Sequence, residues 1–292
     1  MKHVLTILAF AAAAVLVSPP AMHAADPWSY PRSPADLDPA LEFVKLNIHT
    51  PDGARLAAWY VPGEGRGPAV LVLPGDKDTM SDRLDVLQGL AGRGYRVLTF
   101  DLRGRGRSDP FRTDPRAFVV PAYLEDAHSA LDILWSRPDV DTTKVAVYGE
   151  SLGAFLAFAL ARERPEARAV ISVSSPYNAK TFHEVQERHS RSEVRIVPEE
   201  WERKHEPEKA LDRFRGAVLF VGGELDLLTP AWMAEDLHRR FDRAKELWIV
   251  AGASRDRGST VRERTGAQLY ERIDAFLDRE LAKAPHKGWP RK

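Results

Sequence analysis

Lys144-Val145-Ala146-Val147-Tyr148-Gly149-Glu150-Ser151-Leu152-Gly153-Ala154-Phe155-Leu156-Ala157-Phe158-Ala159-Leu160-Ala161 is the stretch that decides the fold. A short apolar run from Val145 to Tyr148 leads into Gly149-Glu150-Ser151-Leu152-Gly153, and a run of small and apolar residues follows to Ala161. Buried strand, G-x-S-x-G and helix, in that order, describe a nucleophile elbow, whose turn is so tight that only glycines fit beside the serine. A bare G-x-S-x-G arises often by chance; one wedged between a buried strand and a small-residue helix seldom does. The competing reading is a glycine-punctuated turn with an incidental serine.

Working outward, Ala69 to Leu73, Arg96 to Phe100, Lys144 to Tyr148, Ala169 to Val173, Val218 to Val221 and Leu247 to Val250 are short, mostly apolar runs spaced by helix-length segments. Such spacing predicts buried parallel strands with crossover helices, an α/β fold. Ahead of them, Leu41 to Asn47 and Arg55 to Val61 alternate apolar and polar residues around Thr50-Pro51-Asp52-Gly53, which is turn chemistry, and read as an antiparallel hairpin. Leu269, Ile273, Phe276, Leu277 and Leu281 recur on one helix face, as do Leu124, Ala127, Leu131, Leu134 and Trp135, so helices cover the sheet on both faces.

The stretch from about 176 to 211 departs from this rhythm. It is highly charged, carries His183, His189, Trp201 and His205, and falls between two strands on the side where the elbow opens, so it reads as a short cap over the site. The domain layout expected is a leader over 1–24, an irregular lead-in over 25–40, one α/β domain over 41–283 and a basic tail over 284–292.

Composition narrows the functional classes. With 292 residues and 44% hydrophobic content the chain can bury one large core. Lys+Arg and Asp+Glu are both 42, which leaves no excess charge for holding nucleic acid or an anionic membrane, so no nucleic-acid partner is expected. Met1-Lys2-His3, the apolar stretch Val4 to Val17 and the exit Ser18 to Ala24 form a secretory signal peptide, too short to span a bilayer, which predicts a secreted or periplasmic protein without a stable membrane span. Cleavage is expected after Ala24; Met22 is a poor residue three positions upstream of Ala25, so an uncleaved anchor is the alternative. Absence of cysteine excludes disulfides and thiol chemistry.

A serine hydroxyl needs a base to take its proton, an acid to orient that base, and N–H donors for the developing oxyanion. Leu152 N–H, opening the helix, is one donor, and Asp76 N–H, in the loop Leu73-Pro74-Gly75-Asp76-Lys77-Asp78, is the other candidate. A carboxylate beside an oxyanion is tolerable only if its side chain turns away. The acid is expected at Asp226, after Val218-Leu219-Phe220-Val221-Gly222-Gly223, with Glu224 as the alternative and an exposed loop acid as the bland reading. The base should follow Glu246 to Val250, but the loop Ala251-Gly252-Ala253-Ser254-Arg255-Asp256-Arg257-Gly258 contains no histidine. Arginine keeps its proton near neutral pH, so Arg255 can replace the charge of an imidazolium but not its proton transfer. His183, His189 and His205 are alternative bases if the cap reaches down; as solvated cap residues they would have no such role. His128, between Leu124 and Leu131, reads as a core histidine.

From about Leu41 to Leu281 the chain resembles the serine aminopeptidase-like branch of the α/β-hydrolases. The resemblance rests on Thr50-Pro51-Asp52-Gly53, Gly94-Tyr95-Arg96-Val97-Leu98, Asp101-Leu102-Arg103-Gly104-Arg105-Gly106-Arg107-Ser108, the Ser151 elbow and the Gly223 to Asp226 strand end. It implies hydrolysis of a small ester or peptide through a Ser151 acyl-enzyme with Asp226, without metal or organic cofactor. Two departures stand out. Pro74-Gly75 replaces the family's usual His-Gly, and Arg255 or a neighbour stands where the family's histidine belongs. Two functions are therefore expected to compete: an exported serine hydrolase, and a non-catalytic binding protein on the same fold.

Overall fold

The computed structural model describes residues 33–34, 38–114, 116–189, 194–197, 204–256 and 258–285. The expected leader, most of the lead-in and most of the basic tail lie outside them, as does Trp201. Among the described residues no helix is long and apolar enough to cross a membrane.

An eight-stranded sheet organises the domain. Its strands are β1 (Val44–His49), β2 (Arg55–Val61), β3 (Gly67–Leu73), β4 (Arg96–Phe100), β6 (Val140–Glu150), β7 (Ala169–Val173), β9 (Ala217–Gly223) and β10 (Lys245–Val250). They lie in the order β1-β2-β4-β3-β6-β7-β9-β10. β1 pairs antiparallel with β2, and β2 with β4; every pairing from β4 through β3, β6, β7 and β9 to β10 is parallel. All the strands expected from the apolar runs are present. The hairpin's first strand is shifted to Val44–His49, because Leu41 and Phe43 pack against the core outside the ladder, Phe43 edge-on to Trp59 at 6.1 Å between ring centroids.

The inner parallel strands are mostly apolar because both faces are covered, while the edge strand β10 is only partly buried and carries Lys245 and Glu246. Along β3, Ala69, Leu71 and Leu73 face one core while Val70 and Val72 face the other; along β6, Val145 and Val147 divide in the same way from Ala146 and Tyr148. The first core is closed by α2 (Val120–Ser136), α3 (Leu152–Glu163) and Leu237 of α6 (Ala231–Arg240). The second is closed by α1 (Leu84–Ala91) and α7 (Ala267–Leu281), whose Leu269, Ile273, Phe276 and Leu277 are fully buried. α3 is buried on nearly all sides from Leu152 to Ala161, which explains its small residues: it lies between the sheet, α2 and the short α5 (Pro207–Ala210).

Two strands of three residues each were not anticipated. β5 (Ala117–Val119), directly before α2, pairs in parallel with β8 (Arg195–Val197), which follows α4 (Ala179–His189). The segment between β7 and β9 is thereby tied to the body of the domain by a ladder as well as by its own ends.

His128 is not a core histidine. Leu124 and Leu131 are buried, but the imidazole is half-buried at the flank of α2, 3.1 Å from Glu163 Oε2 and 3.4 Å from Arg164 Nη1. Its polar ring finds partners there that the apolar face of the helix does not supply. Burial pulls its pKa below the ordinary value, against the raising effect of Glu163.

Candidate active site

β6 ends at Glu150, and Ser151 turns the chain into α3 with φ 57° and ψ −125°. Positive φ is a strained conformation for a residue with a Cβ, of the kind that costs about 1–3 kcal/mol and persists only where neighbours enforce it. Here the enforcement is visible. Ser151 N–H donates to Val173 O at 2.9 Å, and Ser151 O accepts from Ala154 N–H at 2.9 Å. A Cβ on Gly149 would lie 2.3 Å from Gly153 O, and one on Gly153 would lie 2.7 Å from Leu73 O and 2.8 Å from Pro74 O. The elbow therefore rests its backbone on the end of β3. Gly153→Ala is expected to lower stability by about 1–3 kcal/mol, the usual cost of overpacking, read as a lower denaturant midpoint at unchanged m-value.

That contact also brings the two expected oxyanion donors into one cleft. Asp76, Ser151, Leu152 and Arg255 all line a cavity of about 340 Å³, roofed by Phe182 and Gln186 of α4 and by Val194. Among the described residues neither Leu152 N–H nor Asp76 N–H has a hydrogen-bond acceptor. The Asp76 carboxylate turns to Arg105, whose Nη2 lies 3.5 Å from Oδ1 and whose Nε donates to Asp76 O at 2.9 Å. Burial raises the Asp76 pKa, and the charges of Arg105 and Lys77 oppose that rise.

Asp226 and Arg255 meet because the loops after β9 and β10 bond to each other. Glu224 N–H donates to Val250 O and Leu225 N–H to Ala253 O, each at 3.0 Å. Asp226 is buried, with all its carboxylate capacity engaged: Oδ1 accepts from Leu228 N–H at 2.9 Å and Thr229 N–H at 3.0 Å, and Oδ2 accepts from Thr229 Oγ1 at 3.0 Å and Arg255 Nε at 2.9 Å. Arg255 Nη2 also donates to Thr229 Oγ1 at 2.7 Å. The guanidinium thus sits on the acid, and Arg255 lines the same cleft as Ser151. Glu224, the alternative acid, is exposed and accepts from Gly252 N–H at 2.9 Å.

No histidine lines this cleft among the described residues. His183 accepts from Ile196 N–H at 3.2 Å, bracing β8. His189 is exposed at the end of α4. His205 is fully buried 2.6 Å from Glu163 Oε1, at the far end of α3 from Ser151.

One part of the site went unread in the sequence. Glu150, inside the elbow itself, is buried beneath the serine with Arg262 Nε at 2.7 Å and Arg83 Nη1 at 3.8 Å. Arg262 is also held in two contacts of 2.6 and 2.7 Å by Asp85, and Arg83 by Asp78, which in turn accepts from Gly75 N–H at 2.9 Å in the oxyanion loop. Burial pushes the Glu150 carboxyl up, but Arg83, Arg262 and Arg255 outweigh it and hold its pKa below the ordinary glutamate value. This cluster buttresses both the elbow and the loop that carries Asp76.

The family model for serine aminopeptidase, S33, matches residues 66–203. An uncharacterized protein of Mycobacterium tuberculosis is 33% identical over 214 residues, 70% of this chain and 69% of that one. A polyketide transferase of Aspergillus fumigatus is 38% identical over 131 residues, 44% of each chain. Among solved structures, the Pyrococcus furiosus esterase Pf2001 superposes with a TM-score of 0.69 at 20% identity, covering 86% of this chain and 96% of its own, a likeness of fold. With the strand order, the elbow and these relatives in agreement, the chain belongs to the serine aminopeptidase S33 family of the α/β-hydrolases.

Proposed function

We propose that this protein is an exported serine hydrolase that forms an acyl-enzyme at Ser151 from a small carboxylic ester or peptide and turns it over slowly. One observation carries the reading: a strained serine shares its cleft with two backbone N–H groups that have no acceptor among the described residues. Ser151 Oγ attacks the acyl carbon, the oxyanion is received by Leu152 and Asp76 N–H, and the carbonyl re-forms as the alcohol or amine leaves with a proton taken from solvent; water then attacks the acyl-enzyme, releasing the acid and leaving a proton on Ser151 Oγ. With Arg255 on Asp226 the hydroxyl proton passes to solvent, which makes acylation slow. The relative named as a polyketide transferase supports acyl acceptors other than water as well. Export rests on the leader Met1 to Ala24, and the mature protein recovered from an extracellular or periplasmic fraction should begin at Ala25.

A fluorophosphonate probe tests the chemistry directly. Folded wild type should be labelled over hours and Ser151→Ala not at all. The filled coordination of Asp226 favours a second reading, a binding protein that keeps the pocket. It gains if folded wild type stays unlabelled while a ligand binds wild type and Ser151→Ala equally.

A further inference from the structure

Charge that cancels over the whole chain does not cancel locally. At the end of the sheet opposite Ser151, where β7, β9 and β10 begin, a second cavity of about 220 Å³ is lined by Arg162, Arg168, Arg213, Arg215, Arg243 and Lys283. Glu280 is the one carboxylate among its lining residues, and it is engaged by Arg279 and Lys283. The neighbouring acids are similarly committed: Asp212 pairs with Arg240 at 3.2 Å, and Asp242 with Arg243 at 3.9 Å.

Lys283 and Arg243 are paired with Glu280 and Asp242, whereas Arg168 and Arg162 are held through backbone carbonyls. Arg168 donates to the carbonyls of Thr143 at 2.7 Å and Lys283 at 2.9 Å, while its own carbonyl accepts Ala217 N–H at 3.0 Å and so joins the entries of β7 and β9. Arg162 donates to Lys209 O at 3.1 Å. The guanidinium groups of Arg213 and Arg215 have no hydrogen-bond or ion-pair partner among the described residues. Burial lowers the pKa of Arg162, with Arg213 adding to the fall and Glu163 and Asp212 opposing it. Planar guanidinium forks converging on a concave surface match the bidentate geometry of phosphate oxygens. The cavity is smaller than the roughly 300–1,000 Å³ that drug-sized ligands occupy.

We infer that this pocket is a binding site for a phosphate-bearing anion, separate from the serine cleft. The test is calorimetric titration of the full-length protein with inorganic pyrophosphate at fixed ionic strength, beside sedimentation with vesicles of phosphatidylglycerol in phosphatidylcholine. Saturable pyrophosphate binding, weakened at least tenfold in Arg213→Ala/Arg215→Ala and unchanged in Ser151→Ala, supports a site for a free phosphate group. Vesicle binding alone, lost in the same double variant, supports the same site with a lipid headgroup as the source. Both substituted side chains are exposed, so the variant is expected to fold, and unchanged circular dichroism checks this. Absence of binding in both arms overturns the inference, as does equal binding by the double variant.

Discussion

Arg255→His is expected to raise ester hydrolysis by roughly 10²- to 10⁴-fold, the contribution a positioned general base makes. The frame for it already exists: Asp226 Oδ2 accepts from Arg255 Nε at 2.9 Å, so an imidazole there would donate through Nδ1 and offer Nε2 to Ser151. Thr229 and the two backbone donors on Oδ1 keep the carboxylate in place once the arginine is gone. The pH profile separates this from a packing effect. Arginine does not titrate near neutrality, so the variant alone should lose kcat/KM as pH falls through the histidine range, about 6.5. Arg255→Ala should show no gain, and Asp226→Asn in the histidine background should remove most of it. A folded Arg255→His protein with unchanged kcat/KM on p-nitrophenyl acetate would show that position 255 cannot serve Ser151 as a base.

Glu150→Ala is expected to destabilise the fold by about 3–5 kcal/mol, the penalty for breaking a buried ion pair from one side. Arg262 keeps Asp85 and Arg83 keeps Asp78, which places the loss toward the lower end of that range. Glu150→Gln retains an oxygen for Arg262 Nε and should lose less. The sign with pH follows from the lowered pKa of Glu150: its stabilisation is complete above the ordinary glutamate range and is lost as pH falls through the lower, folded-state value. The gap between wild type and Glu150→Ala in denaturant melts should therefore narrow on acidification. A gap that widens below pH 4 would show that the cluster does not depend on the ionised carboxylate.

Much of the fold was legible because its signals are local. Apolar runs announce parallel strands covered on both faces, and the glycines around Ser151 announce a turn with no room for a Cβ. The adjacency of Asp226 and Arg255 was legible at one remove, since each follows a strand end and β9 and β10 are neighbours. The Glu150 cluster was not, because Arg83 and Arg262 lie far from it in the chain, 112 residues in the case of Arg262, and charged residues at such separations carry no periodic signal. The strands β5 and β8 are too short, at three residues each, to show alternation. His128 was misread because its neighbours along α2 are apolar while its partners, Glu163 and Arg164, come from another helix.

The contact of Gly153 with Leu73 O and Pro74 O has a consequence for substitution. Position 255 lies in a loop after a strand end, where a change of side chain leaves the ladder of the sheet intact. Replacing the glycine would instead disturb the meeting of two strand ends on which folding depends. The chemistry at position 255 can therefore be exchanged while the packing of Gly153 on the end of β3 keeps the elbow, and with it the conformation of Ser151, in place.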